Sequence, residues 1–506
     1  MELFNKRYIC FICFAFVLTA FLMTFCGSIV KIVAGGLALI TFIALLMAFF
    51  KTKKFKFQVL FALLVSFAIS LSAFSSYFVI SRAQSRAETL RGQNTVLVRI
   101  VSQNDEEKYG VRLLRVGDEN VNIKAELNFE TKENLEYGDE LIMNADIDEA
   151  SDIRDRSKLI SLAHIEESEV YIKRAEAKNY FSVDGILALC YSLQDNFSNH
   201  VDTVFGEHAA LAKGLLINDT SDIDRKTNTD FKRSGTSHIL AVSGMHIALL
   251  MGALEILLRK VHVKKEIRIV VISIASLFFL ALCAFVASAV RSVLMLFAVY
   301  LCYILYEEND SITALFASIA IIILCSPFSV YDLGMWMSFL ATLGILAVYP
   351  YFDERMPYPK QDNLFVRYSL RFLIWIAKTL ILTIIANFFL LPIMWCFFGA
   401  VSLSTVPCNL ILSPIVTVLM PLCAVSTLLG FIPYASIPFV FVTNKLLDVM
   451  MAIVRYFSEM RFGVVSLKFE FANVLIILLA ISISVMLVIK FKHKLIIFHI
   501  RTSLCA

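Results

Sequence analysis

Residues 234–250, SGTSHILAVSGMHIALL, are apolar enough to enter a bilayer yet carry two histidines, two glycines and several serine and threonine hydroxyls. A helix that only crosses a membrane needs none of these polar groups, since each is costly in hydrocarbon unless it faces a packed interior or water. As one helix, the stretch puts Ser243 and His246, three residues apart, on one face. His238 then lies about 80° away by the 3.6-residue period. Gly244 on that stripe admits the close approach of another backbone. Two readings follow: a satisfied interhelical hydrogen-bond cluster, or the lining of a polar path. A third, an intramembrane serine hydrolase, would use Ser243 as nucleophile and His246 as base but lacks an orienting acid. No H-E-x-x-H occurs, which removes zinc proteolysis.

Outward from this stretch the chain reads as a polytopic α-helical membrane protein. Of its 506 residues 58% are hydrophobic and 17% charged. Its mean hydropathy of +0.75 lies outside the range of soluble domains. Apolar runs long enough to span are predicted at 8–30, 32–50, 57–80, 237–258, 269–287, 289–306, 311–326, 333–350, 373–391, 410–430, 438–457 and 472–489. That makes about twelve transmembrane helices. The first run ends at Lys31 without a small-residue cleavage site and is read as a retained helix rather than a signal peptide. Eleven cysteines are present, but none lies between Gly27 and Leu189 and nearly all the others fall in apolar runs, which is not a disulfide framework.

Lysine and arginine collect in KTKKFK (51–56), RKVHVKKEIR (259–268), the 351–371 loop and KFKHK (490–494). These four fall on one side if the helices alternate. Taking that side as cytoplasmic puts both termini inside and the polar insert outside. The insert, 81–180, contains the β-rich runs TVLVRIVS, GVRLLRV, NVNIKAEL, ELIMNADI and EVYIKRAE, broken by polar turns. Five short strands fit a small β-barrel of the OB type, a fold that often binds single-stranded nucleic acid. The insert's 15 lysines and arginines against 21 aspartates and glutamates, a net of −6, do not supply the basic groove such binding needs. Scaffolding and direct DNA contact therefore both stay open. The expected division is N-terminal transmembrane helices (1–80), an extracytoplasmic OB-like β domain (81–180), amphipathic or re-entrant helices (181–233), a transmembrane channel domain (234–490) and a cytoplasmic tail (491–506).

The segments GLLINDTSDID (214–224), FKRSGTSHILAVSGMHIALL (231–250), FVASAVRSVLMLFAVY (285–300), the run 309–346 and ANFFLLPIMWCFFGAVSLSTVPCNLILSPIVTVLMPL (386–422) resemble, in order and spacing, the ComEC family. That resemblance implies a DNA-internalisation channel of bacterial natural transformation, multi-pass in the cytoplasmic (inner) membrane. It passes single-stranded DNA and works with other competence proteins, including a separate nuclease and motor, among membrane lipid. A homo-oligomer stays open. Family members commonly end in a metallo-β-lactamase-like domain with an H-x-H-x-D-H motif; this sequence has no such spacing and is expected to be a short form. No cofactor, no metal site and no covalent chemistry are expected, and no P-loop is present.

Beyond the opening stretch, Arg291 sits in an otherwise uncharged run and must reach an acid, carbonyls, headgroups or an aqueous path. A polyanion would suit it; snorkelling to the interface is the structural alternative. Asn387, where the family usually has glutamine, shares one apolar helix with Pro392, which is expected to free a carbonyl and kink the chain. The expected path residues are thus His238, Ser243, Gly244, His246, Arg291 and Asn387, with Gly235 and Pro392 structural. A secondary transporter with an intramembrane polar site is the rival reading; no internal repeat supports it.

Overall fold

The computed structural model describes residues 8–25, 64–72, 74, 89–105, 108–117, 119–129, 139–149, 160–164, 171–173, 183–220, 222–283, 285–357, 364–394, 400–402, 404–432, 434–460 and 464–466. The spans expected at 32–50 and 472–489, most of 57–80, and the tail from 491 lie outside the described residues.

The insert contributes β1 (Gly92–Asp105), β2 (Lys108–Val116), β3 (Glu119–Asn128), β4 (Glu140–Glu149), β5 (Ile160–His164) and β6 (Tyr171–Lys173). Their pairing runs β1–β2–β3–β5–β4 and returns from β4 to β1, so five strands close on themselves while β6 pairs with the rim of β4. All pairs are antiparallel except β3 with β5. Alternation decides the inside: Val96, Val98, Ile100, Val111, Leu113, Ala125, Leu127, Leu141, Met143, Ala145 and Ile147 are buried at two-residue spacing along their strands. Irregularities in the β1–β2 register supply the extra twist that a small closed ring requires. Leu90, Tyr109, Val116 and Phe129 complete this core, and Phe328, from a short 3₁₀ turn at Pro327–Tyr331, packs against it from the helical part.

The helices are α1 (Tyr8–Phe25), α2 (Val183–Phe205), α3 (Ala209–Ile217), α4 (Arg225–Ser234), α5 (Ser237–Leu240), α6 (Gly244–Lys260), α7 (Lys265–Leu282), α8 (Ala287–Ile304), α9 (Ser311–Cys325), α10 (Leu333–Asp353), α11 (Leu364–Ile393), α12 (Thr405–Leu429) and α13 (Ile437–Ser458). Among the described residues five, α8 and α10 to α13, are long and apolar enough to cross a membrane. Aspartates set several starts: Asp224, Asp310 and Asp332 accept from the backbone amides of Thr227, Thr313 and Met335. Three apolar clusters organise the helices: α2 to α5 with α12 and α13; α1 with α9, α10 and α11; and α6 with α7 and α8.

One expectation changes. The span expected at 237–258 is not one helix: Ala241 to Ser243 are not helical, and this gap separates α5 from α6. Pro392 lies inside α11, the helix that also carries Asn387.

Candidate functional site

The site is the interruption between α5 and α6, and its construction begins upstream. Lys213 on α3, 5% exposed, is bonded at 2.7 Å by both Asp202 of α2 and Asp222 of the following loop. Burial alone would lower its pKa, but the two carboxylates outweigh that and hold it above the usual lysine value. This fixes the loop whose first residue, Asn218, takes a left-handed conformation at φ 62°. Asparagine tolerates that conformation better than most side chains. At the other end of α4, Gly235 caps the helix at φ 74°, and a side chain there would overlap Thr405 at the start of α12. Only glycine fits a left-handed position so close to another helix.

The interruption leaves backbone groups without helical partners, and side chains from elsewhere take them. The Val242 amide donates to Asn218 Oδ1 at 2.9 Å, and the Val242 carbonyl accepts from Ser288 Oγ of α8 at 2.7 Å. His246, 0% exposed, spans the gap. Its Nδ1 accepts from the Ser243 amide at 3.1 Å, and its Nε2 lies 3.1 Å from the Ile239 carbonyl. A carbonyl can only accept, so Nε2 carries the proton and the ring is the neutral Nε2–H tautomer. His246 thereby joins the last turn of α5 to the first turn of α6.

Ser243 is the N-cap of α6 and His246 its third residue, so the pair does the work of a capping box rather than sharing a face of a continuous helix. Ser243 Oγ also lies 2.9 Å from His246 Nδ1. A nucleophile–base pair needs that nitrogen's single lone pair for the hydroxyl; here the serine's own amide shares it, and the ring's far side meets a carbonyl instead of a carboxylate. Among the described residues no group of three or more histidine, cysteine, aspartate or glutamate side chains converges as a metal site.

The exposed edge of the interruption is formed by Ser237, His238, Ala241 and Met245. Of the expected path residues, the structure brings together Ser243, Gly244, His246 and Arg291, with His238 on the adjoining turn of α5. Gly244 is in close contact with α8: a Cβ there would stand 2.7 Å from Ser292 Oγ and 2.9 Å from Arg291 Nη2. Arg291 is 3% exposed, so it does not snorkel. Its guanidinium donates to Ser338 Oγ of α10 at 2.8 and 3.1 Å, to Ser292 Oγ at 3.1 Å and to Met295 Sδ at 3.1 Å. Asn387 is not brought to this cluster by any hydrogen bond; its amide donates to Thr383 O, four residues back on α11, at 2.9 Å. Asn218 and Ser288, which hold the interruption from outside, were not foreseen.

Five described helices long and apolar enough to cross a membrane, together with a non-helical gap between α5 and α6 that side chains of neighbouring elements close, fit a membrane protein. The chain matches the Competence protein family over residues 215–492, more than half its length, and belongs to it; this is the ComEC family. It is also 25% identical over 215 residues to ComE operon protein 3 of Bacillus subtilis (strain 168), a match covering 42% of this chain and 25% of that protein. No solved structure matches.

Proposed function

We propose that the chain is a conduit that passes a single DNA strand across the cytoplasmic membrane during competence, with the α5–α6 interruption at its mouth. The observation that carries the reading is the interruption itself. Non-helical backbone at membrane depth is tolerated where it is buried in protein or lines a water-filled cavity. Here one side, His246, Val242 and Ser288, is buried, and the other, His238 and Ala241, is exposed. Membership of the competence family and likeness to ComE operon protein 3 point the same way.

In this reading Ser243 caps α6 and Gly244 lets it lie against α8, while His238 and the Ala241 backbone face the strand. The chain performs no covalent chemistry; any strand cutting or pulling belongs to a separate nuclease and motor. The β1–β5 ring lies on the outer side, with both termini in the cytoplasm and about twelve helices in all. An interrupted helix also frames carriers of small solutes.

The test is uptake of labelled DNA by cells carrying Ala241→Cys, treated from outside with a bulky thiol reagent. DNA uptake should fall at least tenfold while the parental chain, treated alike, keeps its uptake. Unchanged DNA uptake in cells whose Ala241→Cys is fully modified removes the interruption from the path. Loss of small-solute uptake with DNA uptake intact would replace the conduit by a carrier.

A further inference from the structure

A cavity of about 390 Å³ runs between α6 and α8, from Gly244 and Ser292 at one end to Glu255 and Tyr300 at the other. Its walls are mainly aliphatic, with Met251 on one side and Leu296 and Val299 on the other, and Asn309, Ser311 and Ala314 at the start of α9 complete the lining. The volume falls within the roughly 300–1,000 Å³ usual for small-molecule sites. Gly252 opens onto it: a Cβ there would meet no atom within 4 Å, in contrast to the crowded Gly244.

Arg291 lies directly behind the Gly244 end. Two of its partners, Ser292 and Met295, themselves line the cavity. Among the described residues it makes no ion pair with a carboxylate; two hydroxyls and a thioether, the last a weak acceptor, receive its protons. The first turn of α6 lies here and adds the positive end of its helix dipole. A buried guanidinium without a carboxylate partner among the described residues, beside the N-terminus of α6, is a focus of positive potential that an anion would relieve. Glu255 at the far end is already paired with Arg259 and Arg268.

We propose that this cavity binds one anionic phospholipid, its phosphate at Arg291, Ser292 and the first turn of α6, and an acyl chain along the aliphatic walls. A nucleic acid strand carries a phosphate at every nucleotide and calls for repeated cations and aromatic platforms. The cavity instead has a carboxylate at the far end, Tyr300 as the aromatic residue of its described lining, and a single cation, Arg291, behind its Gly244–Ser292 wall rather than in it. One charged head and an apolar body is what that lining complements. The site does not depend on what passes the interruption; bound lipid would brace α6 against α8 behind it.

The experiment uses the purified full chain, stripped of lipid in neutral detergent and heated with phosphatidylglycerol, phosphatidylcholine, inorganic phosphate or a short oligothymidylate. Phosphatidylglycerol should stabilise the protein at about tenfold lower concentration than phosphatidylcholine, an affinity difference of about 1.4 kcal/mol. Phosphate should have no effect at matched concentration, and any effect of the oligonucleotide should be the same in the parental chain and in Gly252→Leu. Arg291→Gln should abolish the preference for the anionic lipid. Gly252→Leu, which grows into open space, should leave the lipid-free melting unchanged and raise the half-saturating lipid concentration about tenfold. If Arg291→Gln yields no folded protein, Gly252→Leu decides alone. An undiminished lipid effect in Gly252→Leu overturns the proposal, and so does stabilisation by the oligonucleotide that Gly252→Leu removes.

Discussion

The β1–β5 ring and the α5–α6 interruption meet the same requirement in opposite ways. Each must give every buried backbone amide and carbonyl a partner. In the ring the partners are other backbone groups: β4 returns to β1 and the ladder has no open edge among its five members. In the interruption they are side chains that come from other elements, Asn218 from the loop after α3 and Ser288 from α8, with His246 reaching back from α6. A ladder made of backbone tolerates change in any one side chain. A gap closed by three side chains does not, because each supports a named backbone group and the buried side of the gap, at Val242 and His246, has no water to take its place.

The largest effect should therefore come from His246. His246→Ala orphans the Ser243 amide and the Ile239 carbonyl together and leaves a void where a fully buried ring stood. At about 1–3 kcal/mol for each unsatisfied buried group, the loss should be about 3 kcal/mol, read as a collapse of folded protein after mild heating in detergent. His246→Gln, with a donor and an acceptor on a chain of comparable reach, should recover part of it. Equal stability of His246→Ala and the parental chain would show that the interruption is held by something other than this ring.

The same contrast explains what could be read from sequence. A backbone ladder writes itself as local alternation, and the runs TVLVRIVS and ELIMNADI sit inside β1 and β4 as expected. Long apolar helices are equally local: the run predicted at 289–306 is α8, Ala287–Ile304. The interruption was not legible because its supports lie far off. Asn218 is 24 residues from Val242 and Ser288 is 46. One local signal was present and ambiguous. The three-residue spacing from Ser243 to His246 fits a shared helical face, and it fits equally an N-cap with its N3 partner. Gly244 was legible as a point of close approach, though its neighbours Ser292 and Arg291 were not. Arg291 was noticeable as a charge in an apolar run, but only the fold shows it enclosed by hydroxyls of α8 and α10.

A smaller effect is expected from the brackets on Val242. Asn218→Gly keeps the left-handed conformation that φ 62° requires and removes only the acceptor, so it isolates the hydrogen bond from backbone strain. It should cost about 1–2 kcal/mol. Ser288→Ala should cost less, since a carbonyl is more often left under-satisfied than an amide. Combining the two should exceed the sum of the single effects, because both hold one residue. Strict additivity would mean that Val242 is not the shared point of support.

The smallest effect belongs to the ring. Thr95 of β1 donates from Oγ1 to Asn144 Oδ1 of β4 at 2.7 Å, and the two residues are directly opposite in the β1–β4 ladder. By distance this hydrogen bond is as good as the one from Asn218. Yet it is exposed, water replaces either partner, and the backbone pairing beneath it does not depend on it. Thr95→Ala should therefore cost no more than about 0.5 kcal/mol, within the range of ordinary surface substitutions. Melting of Thr95→Ala beside Asn218→Gly, in the same detergent, sets two hydrogen bonds of nearly equal length against each other. If Thr95→Ala lowers stability as much as Asn218→Gly does, the distinction between backbone-closed and side-chain-closed regions fails, and the ring too must depend on its side chains to stay shut.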